Sequence, residues 1–185
     1  RYNSTVKYLK KMLTKKINQP FLIKAEFLQN RMQSHNTSAI FIFMHGLDII
    51  DFIIEKNVRR VVANSNLIKR KLDLNSSIML QYDNLNAYIT LGWIPSGIER
   101  KIELFSEKRH ILCDLMENSI QIFEEGSKTK KIKIKSKEPF LTSELKDFIK
   151  CVKYKKNSTV NGEIGSRIVK ICELSIKSVK QNMIK

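Results

Sequence analysis

His45 and Asp48 are the pair of side chains in this 185-residue sequence whose types and spacing best suit proton transfer. They open a helical stretch, just after the apolar run 39–44, and three positions of separation put them on one helix face. A helix N-terminus disfavours a cationic imidazole by ~0.3–1 kcal/mol, which tunes a general base without creating one. A second reading is open from the residues alone, in which His45 caps the helix and Asp48 makes a surface hydrogen bond. His110 and Cys113 form the other pair of interest, but on a strand their odd separation points them to opposite faces, so no metal is expected. Cys113, Cys151 and Cys172 are odd in number and lack a paired spacing, as free thiols in a reducing compartment would. Asp147, Glu144 and Glu163 are explained by helix surfaces and first-turn dipole interactions. Trp93 is expected to anchor a core or an interface rather than carry a substrate. The chain has six glycines and no strand–glycine loop–helix signature, so it is not expected to hold a dinucleotide by itself.

The elements that must position these residues follow from periodicity. Residues 4–17 carry Val6, Leu9, Leu13 and Ile17 at helical spacing, with Asn3 or Ser4 as N-cap and Pro20 beyond the end. A strand over 21–28 and a polar, irregular segment over 29–38 lead into a helix over 40–55. Strands are expected at 57–64, 66–72 and 77–82, and four more at 87–94, 100–105, 111–116 and 119–123. Residues 130–135 alternate Lys with Ile, the pattern of an edge strand whose charges discourage further pairing. Helices over 141–153 and 162–183 close the chain, the second with Ile164, Ile168, Ile171, Leu174 or Ser175, and Val179 on one face. Connections too short for crossover helices imply antiparallel pairing. The expected class is therefore α+β, an open, mostly antiparallel sheet with helices packed on one face and the other face free for oligomerisation.

Four segments, in order, carry a family resemblance. Residues 86–125 run strand, Trp-x-Pro-x-Gly turn, basic strand, polar turn and acidic strand end; residues 139–180 pair an Glu-Leu-x-x-Phe-x-x-Cys-Val helix with an Asn-Gly-Glu-x-Gly turn and a final helix. Residues 44–55 hold His-x-x-Asp, and Arg1-Tyr2-Asn3 is an Arg-aromatic-Asn element. Together these resemble the C-terminal domain of the glucose–fructose oxidoreductase / inositol dehydrogenase family of NAD(P)-dependent sugar oxidoreductases. The resemblance implies that residues 1–185 are a substrate-binding and oligomerisation domain, inactive alone. NAD or NADP would be bound mainly by an N-terminal dinucleotide-binding domain outside this chain. The reaction implied is hydride transfer from a sugar or nucleotide-sugar hydroxyl. His45 falls on the family's active-site histidine, and Arg1 on an arginine near substrate and nicotinamide. Phe41 stands where the family often has an acidic residue, and Gly46 where it commonly has Asp.

Composition bounds the alternatives. Hydrophobic residues make up 42% and charged residues 28%, as in ordinary globular domains, and the longest apolar run is far short of a membrane span of about 20 residues. A cytoplasmic location is expected. The net charge of +16 opens a second class of function, a non-catalytic basic binding or scaffold module with nucleic acid as a partner. The basic residues are scattered along the whole chain, so nucleic acid is not the expected partner; a homo-oligomer through the sheet face is.

Overall fold

Asn3 starts the fold by satisfying two otherwise orphaned amides. Its Oδ1 accepts hydrogen bonds from the backbone N–H groups of Thr5 (2.9 Å) and Val6 (3.1 Å), opening helix α1, Ser4–Met12. The computed structural model describes residues 1–30, 38–68 and 72–182. Helix α1 is shorter than its apolar spacing suggested: Ile17 falls in a 3-10 turn, Lys16–Asn18, beyond the helix end.

One eight-stranded sheet organises the rest, in the order β2-β3-β4-β1-β5-β6-β7-β8. The strands are β1 Leu22–Gln29, β2 Arg60–Ile68, β3 Leu72–Gln81, β4 Asn86–Trp93, β5 Ile98–Phe105, β6 Arg109–Asp114, β7 Ser119–Glu124 and β8 Lys130–Lys133. Every neighbouring pair is antiparallel except β1 with β4, which run parallel from Leu22↔Asn86 to Gln29↔Trp93. The four-strand meander and the Lys-Ile edge strand β8 lie where their alternation placed them. Two long strands replace the three expected between 57 and 82. The polar residues near 65 mark no break, because Ser65 pairs with Ser76 across β2 and β3 and their hydroxyls lie 3.1 Å apart. Cross-strand partners satisfy side chains that would otherwise suit a turn.

Four helices cover one face of this sheet. They are α1, the short α2 Ala39–Ile42, α3 Met44–Ile54 and α5 Gly162–Asn182. Ile23, Ala25 and Phe27 of β1, Ile89 and Leu91 of β4, Ile102 and Leu104 of β5, and Ile111 of β6 point inward and are buried with Leu9, Leu47, Ile50 and Ile171. Each such large side chain contributes roughly 1.5–3 kcal/mol by leaving water. On α5 the buried stripe is Ile168, Ile171, Cys172, Ser175 and Val179; Leu174 is exposed, and Ser175 takes its place by donating to the Ile171 carbonyl at 2.8 Å.

The opposite sheet face is uncovered and mixed in chemistry. Lys24 and Glu26 of β1 are exposed there beside Tyr88 of β4. Farther along, the His110 ring is stacked between Phe105 (4.4 Å) and Phe123 (5.0 Å), and its Nε2 lies 2.8 Å from Glu103. The remaining helix, α4 Phe140–Tyr154, buries no residue. No helix among the described residues is long and apolar enough to cross a membrane.

Candidate functional site

The parallel pairing of β1 with β4 brings their C-terminal ends, Gln29 and Trp93, side by side. In open α/β sheets ligands bind outside the carboxyl ends of the parallel strands, and the one parallel pair of this sheet offers the same kind of end. Here the converging element is α3. The Phe43 ring, just before α3, meets the Trp93 indole edge-on at 5.0 Å and 68°, fixing the helix start over this end of the sheet. Trp93 is thus an anchor packed against the core, as its position in the sequence suggested.

His45, the second residue of α3, is exposed, and its side chain makes no hydrogen bond to any other described residue. The next residue explains why the helix sits so close. A Cβ on Gly46 would come within 2.6 Å of the Phe27 ring, itself buried in β1, so glycine is what lets α3 lie flat on the sheet. The family's common Asp would not fit at this position. Phe41 packs against the core as a partly buried apolar residue. The polar segment expected over 29–38 lies mostly in residues 31–37, outside the described residues.

Asp48 does not turn towards His45; it turns to Arg1. Arg1 Nε donates to Asp48 Oδ1 at 2.9 Å, and Nη2 donates to Asp51 Oδ2 at 2.8 Å. Asp51, only 4% exposed, also receives Arg167 of α5 through both Nε (2.9 Å) and Nη2 (2.7 Å). Burial alone would lower the basicity of the Arg1 guanidinium, and hydrogen bonding to Asp48 and Asp51 more than restores it, leaving it above the usual arginine value. For Arg167 the Asp51 hydrogen bond leads and the net shift is likewise upward. A buried carboxylate flanked by two guanidiniums is a paired charge, the condition under which burial is tolerated. Arg1 also lies over the Phe52 ring at 5.2 Å. Arg1 and His45, distant in sequence, are therefore brought to one helix, with Asp48 a single turn from the histidine. Arg1 Nη1 alone of its three nitrogens has no hydrogen-bond partner among the described residues.

The Asp51–Arg167 pair went unread in the sequence. Its signal was an acidic residue inside the Ile-rich face of α3, between the buried Ile50 and Ile53. Such a residue must find a partner or neutralise. Tyr82, almost fully buried, has its phenol pushed upward by burial first and by Asp51 second.

The other candidate chemistry falls away. His110 faces the uncovered side of the sheet, while Cys113 is fully buried on the helix side. Burial pushes the Cys113 thiol up to about 12 and the Cys172 thiol up to about 11, the behaviour of inert structural cysteines. No group of His, Cys, Asp and Glu that could hold a metal ion occurs among the described residues.

The same fold occurs in solved oxidoreductases. UDP-N-acetylglucosamine 3-dehydrogenase GnnA from Acidithiobacillus ferrooxidans superposes with a TM-score of 0.85 and 17% identity, covering 98% of this chain and 59% of that one. An oxidoreductase from Agrobacterium radiobacter in complex with NAD+, L-tartaric acid and magnesium gives 0.79 and 13%, covering 99% and 61%. An oxidoreductase from Sinorhizobium meliloti gives 0.79 and 13%, covering 98% and 61%. This chain spans about three fifths of the length of each. No family model matches the sequence, and no curated protein matches it.

Proposed function

We propose that this chain is the substrate-side domain of an NAD(P)-dependent oxidoreductase that oxidises a hydroxyl of a sugar or nucleotide-linked sugar. One observation carries the reading: Arg1, through Asp48 and Asp51, holds the same helix α3 whose first turn carries His45 beside the ends of the parallel strands β1 and β4, and these are the two residues singled out by the family resemblance. The likeness of nearly the whole chain to the fold of GnnA supports it.

Among the described residues there is no glycine-rich strand-to-helix turn to cradle a dinucleotide, so the proposal assigns that task to a separate domain preceding Arg1. When bound, the nicotinamide supplies the hydride acceptor. This chain then contributes binding, orientation and proton handling. His45, exposed and unengaged, takes the proton from the substrate hydroxyl as the alcohol becomes a carbonyl. Asp48 cannot orient the imidazole while Arg1 holds it, so His45 acts without a carboxylate partner from its own helix. Arg1 contributes the free Nη1 as a donor to a substrate oxygen and uses its other two nitrogens to fix α3. The uncovered sheet face, with the stacked Phe105, His110 and Phe123, is assigned to a second copy of the chain.

The test is His45→Ala in the protein carrying the dinucleotide-binding domain. Loss of positioned acid–base chemistry lowers kcat by about 10²–10⁴-fold with cofactor affinity retained. Unchanged turnover removes His45 from the reaction.

A further inference from the structure

A groove of about 710 Å³ runs between α5 and the edge strand β2, at the C-terminal end of α3 and away from His45. Six cationic residues line it: Lys56, Arg59 and Arg60 on the strand side, and Arg167, Lys170 and Lys177 on the helix side. The local carboxylates do not neutralise them. Asp51 is taken by Arg1 and Arg167, and Asp83 pairs with Arg59 at 2.8 Å. Lys56, Arg60, Lys170 and Lys177 have no ion-pair partner among the described residues.

We propose that this groove is a binding site for a small molecule bearing adjacent phosphates, a diphosphate group. Lys170 and Lys177 on the helix wall and Lys56 at the strand end put unpaired charge on two sides of the groove, which suits an anion lying between them. From Arg167 to Lys177 the helix wall extends about 15 Å at 1.5 Å per residue, longer than one phosphate needs. The volume lies within the range of small-molecule sites, about 300–1,000 Å³. The floor is aliphatic, including Val61 and Ile171, and no aromatic side chain lines the groove. Without a stacking platform, single-stranded nucleic acid lacks its usual hold, so recognition rests on the phosphates. The edge of β2 is already closed in this region: the Ala63 N–H donates to Ser178 Oγ at 2.9 Å, and Asn182 donates to the Ala63 carbonyl at 3.2 Å. An added strand is therefore not the natural occupant. The proposal does not depend on the reaction assigned above.

Calorimetric titration of the chain with pyrophosphate and with uridine diphosphate tests it. Saturable binding at one site is expected, weakened at least tenfold by Lys170→Glu with Lys177→Glu. The Lys128→Glu with Lys131→Glu variant, equal in net charge and altered on exposed lysines of the loop before β8 and of β8 itself, is expected to bind within twofold of the parent. Equal affinity for both ligands assigns the diphosphate alone as the ligand; tighter uridine diphosphate assigns a nucleotide. Equal weakening in both variants, absence of saturable binding at millimolar ligand, or binding of duplex DNA alone would overturn the proposal.

Discussion

Helices α4 and α5 each carry an apolar stripe at helical spacing, yet their surroundings differ. On α5 the stripe is covered by β2, α2 and α3, and Arg167 adds the ion pair to Asp51. On α4 Leu141, Leu145, Phe148, Ile149 and Val152 are each more than half exposed, and the helix is tied down by polar contacts: Tyr2 donates to Asp147 at 2.7 Å, and the Thr159 amide reaches the same carboxylate at 3.4 Å. An apolar stripe records that a helix is built to be covered. It does not say that the covering element belongs to the same chain.

The contrast can be broken most severely at Asp51. Asp51→Ala removes the buried carboxylate shared by Arg1 and the half-exposed Arg167, leaving the buried Arg1 guanidinium with Asp48 alone, and is expected to cost about 3–5 kcal/mol in urea unfolding. Ile171→Ala, in the covered stripe, should cost about 2–4 kcal/mol by the same measurement. Tyr2→Phe should release α4 locally, raising amide exchange across Phe140–Tyr154 while the global unfolding midpoint stays put. Acid should do the same to the α4 tether. The Tyr2 hydrogen bond holds the Asp147 carboxyl below its usual value, so that contribution is present above the ordinary carboxylate range and fades as pH falls through the depressed one. Smallest of all, Phe148→Ser in the uncovered stripe should change the stability of this chain by no more than about 0.5 kcal/mol. A stabilising partner for α4 would reveal itself if that substitution proved costly in a longer protein. The cysteines sharpen the same comparison chemically. Cys151 of α4, half-exposed, should react with a thiol reagent at pH 8 in the native state, whereas Cys172 of α5 should react only on unfolding.

What was legible in the sequence was local. The meander from β4 to β7 could be read because each reversal carries its own punctuation, such as Gly97 at φ 69° after Pro95-Ser96. The edge strand β8 was equally plain from its alternating lysines. The break expected near residue 65 failed because Ser65 and its neighbours are satisfied from another strand, which no local pattern displays. The site was half legible for the same reason. His45 at the start of α3 followed from spacing, but the allegiance of Asp48 to Arg1 depends on a residue 47 positions away, and that of Asp51 on one 116 positions away. The glycine beside His45 looked like a departure from the family pattern; its cause, the Phe27 ring, lies on β1.

The place of β1 in the sheet also sets a timetable for assembly. It is the first strand in the chain, yet both of its neighbours, β4 and β5, begin more than sixty residues later. During synthesis β1 therefore emerges with nothing to pair with, while β2, β3 and β4 can zip up as successive hairpins. Closing its two ladders requires large loops to be ordered first, the slow step in sheets of high contact order. β1 also joins the two halves of the sheet, so until it inserts, β4 and β5 present unpaired edges. Refolding from denaturant should accordingly show hairpin protection in β2–β4 before β1, and the interval between the two is when this chain is most exposed to aggregation.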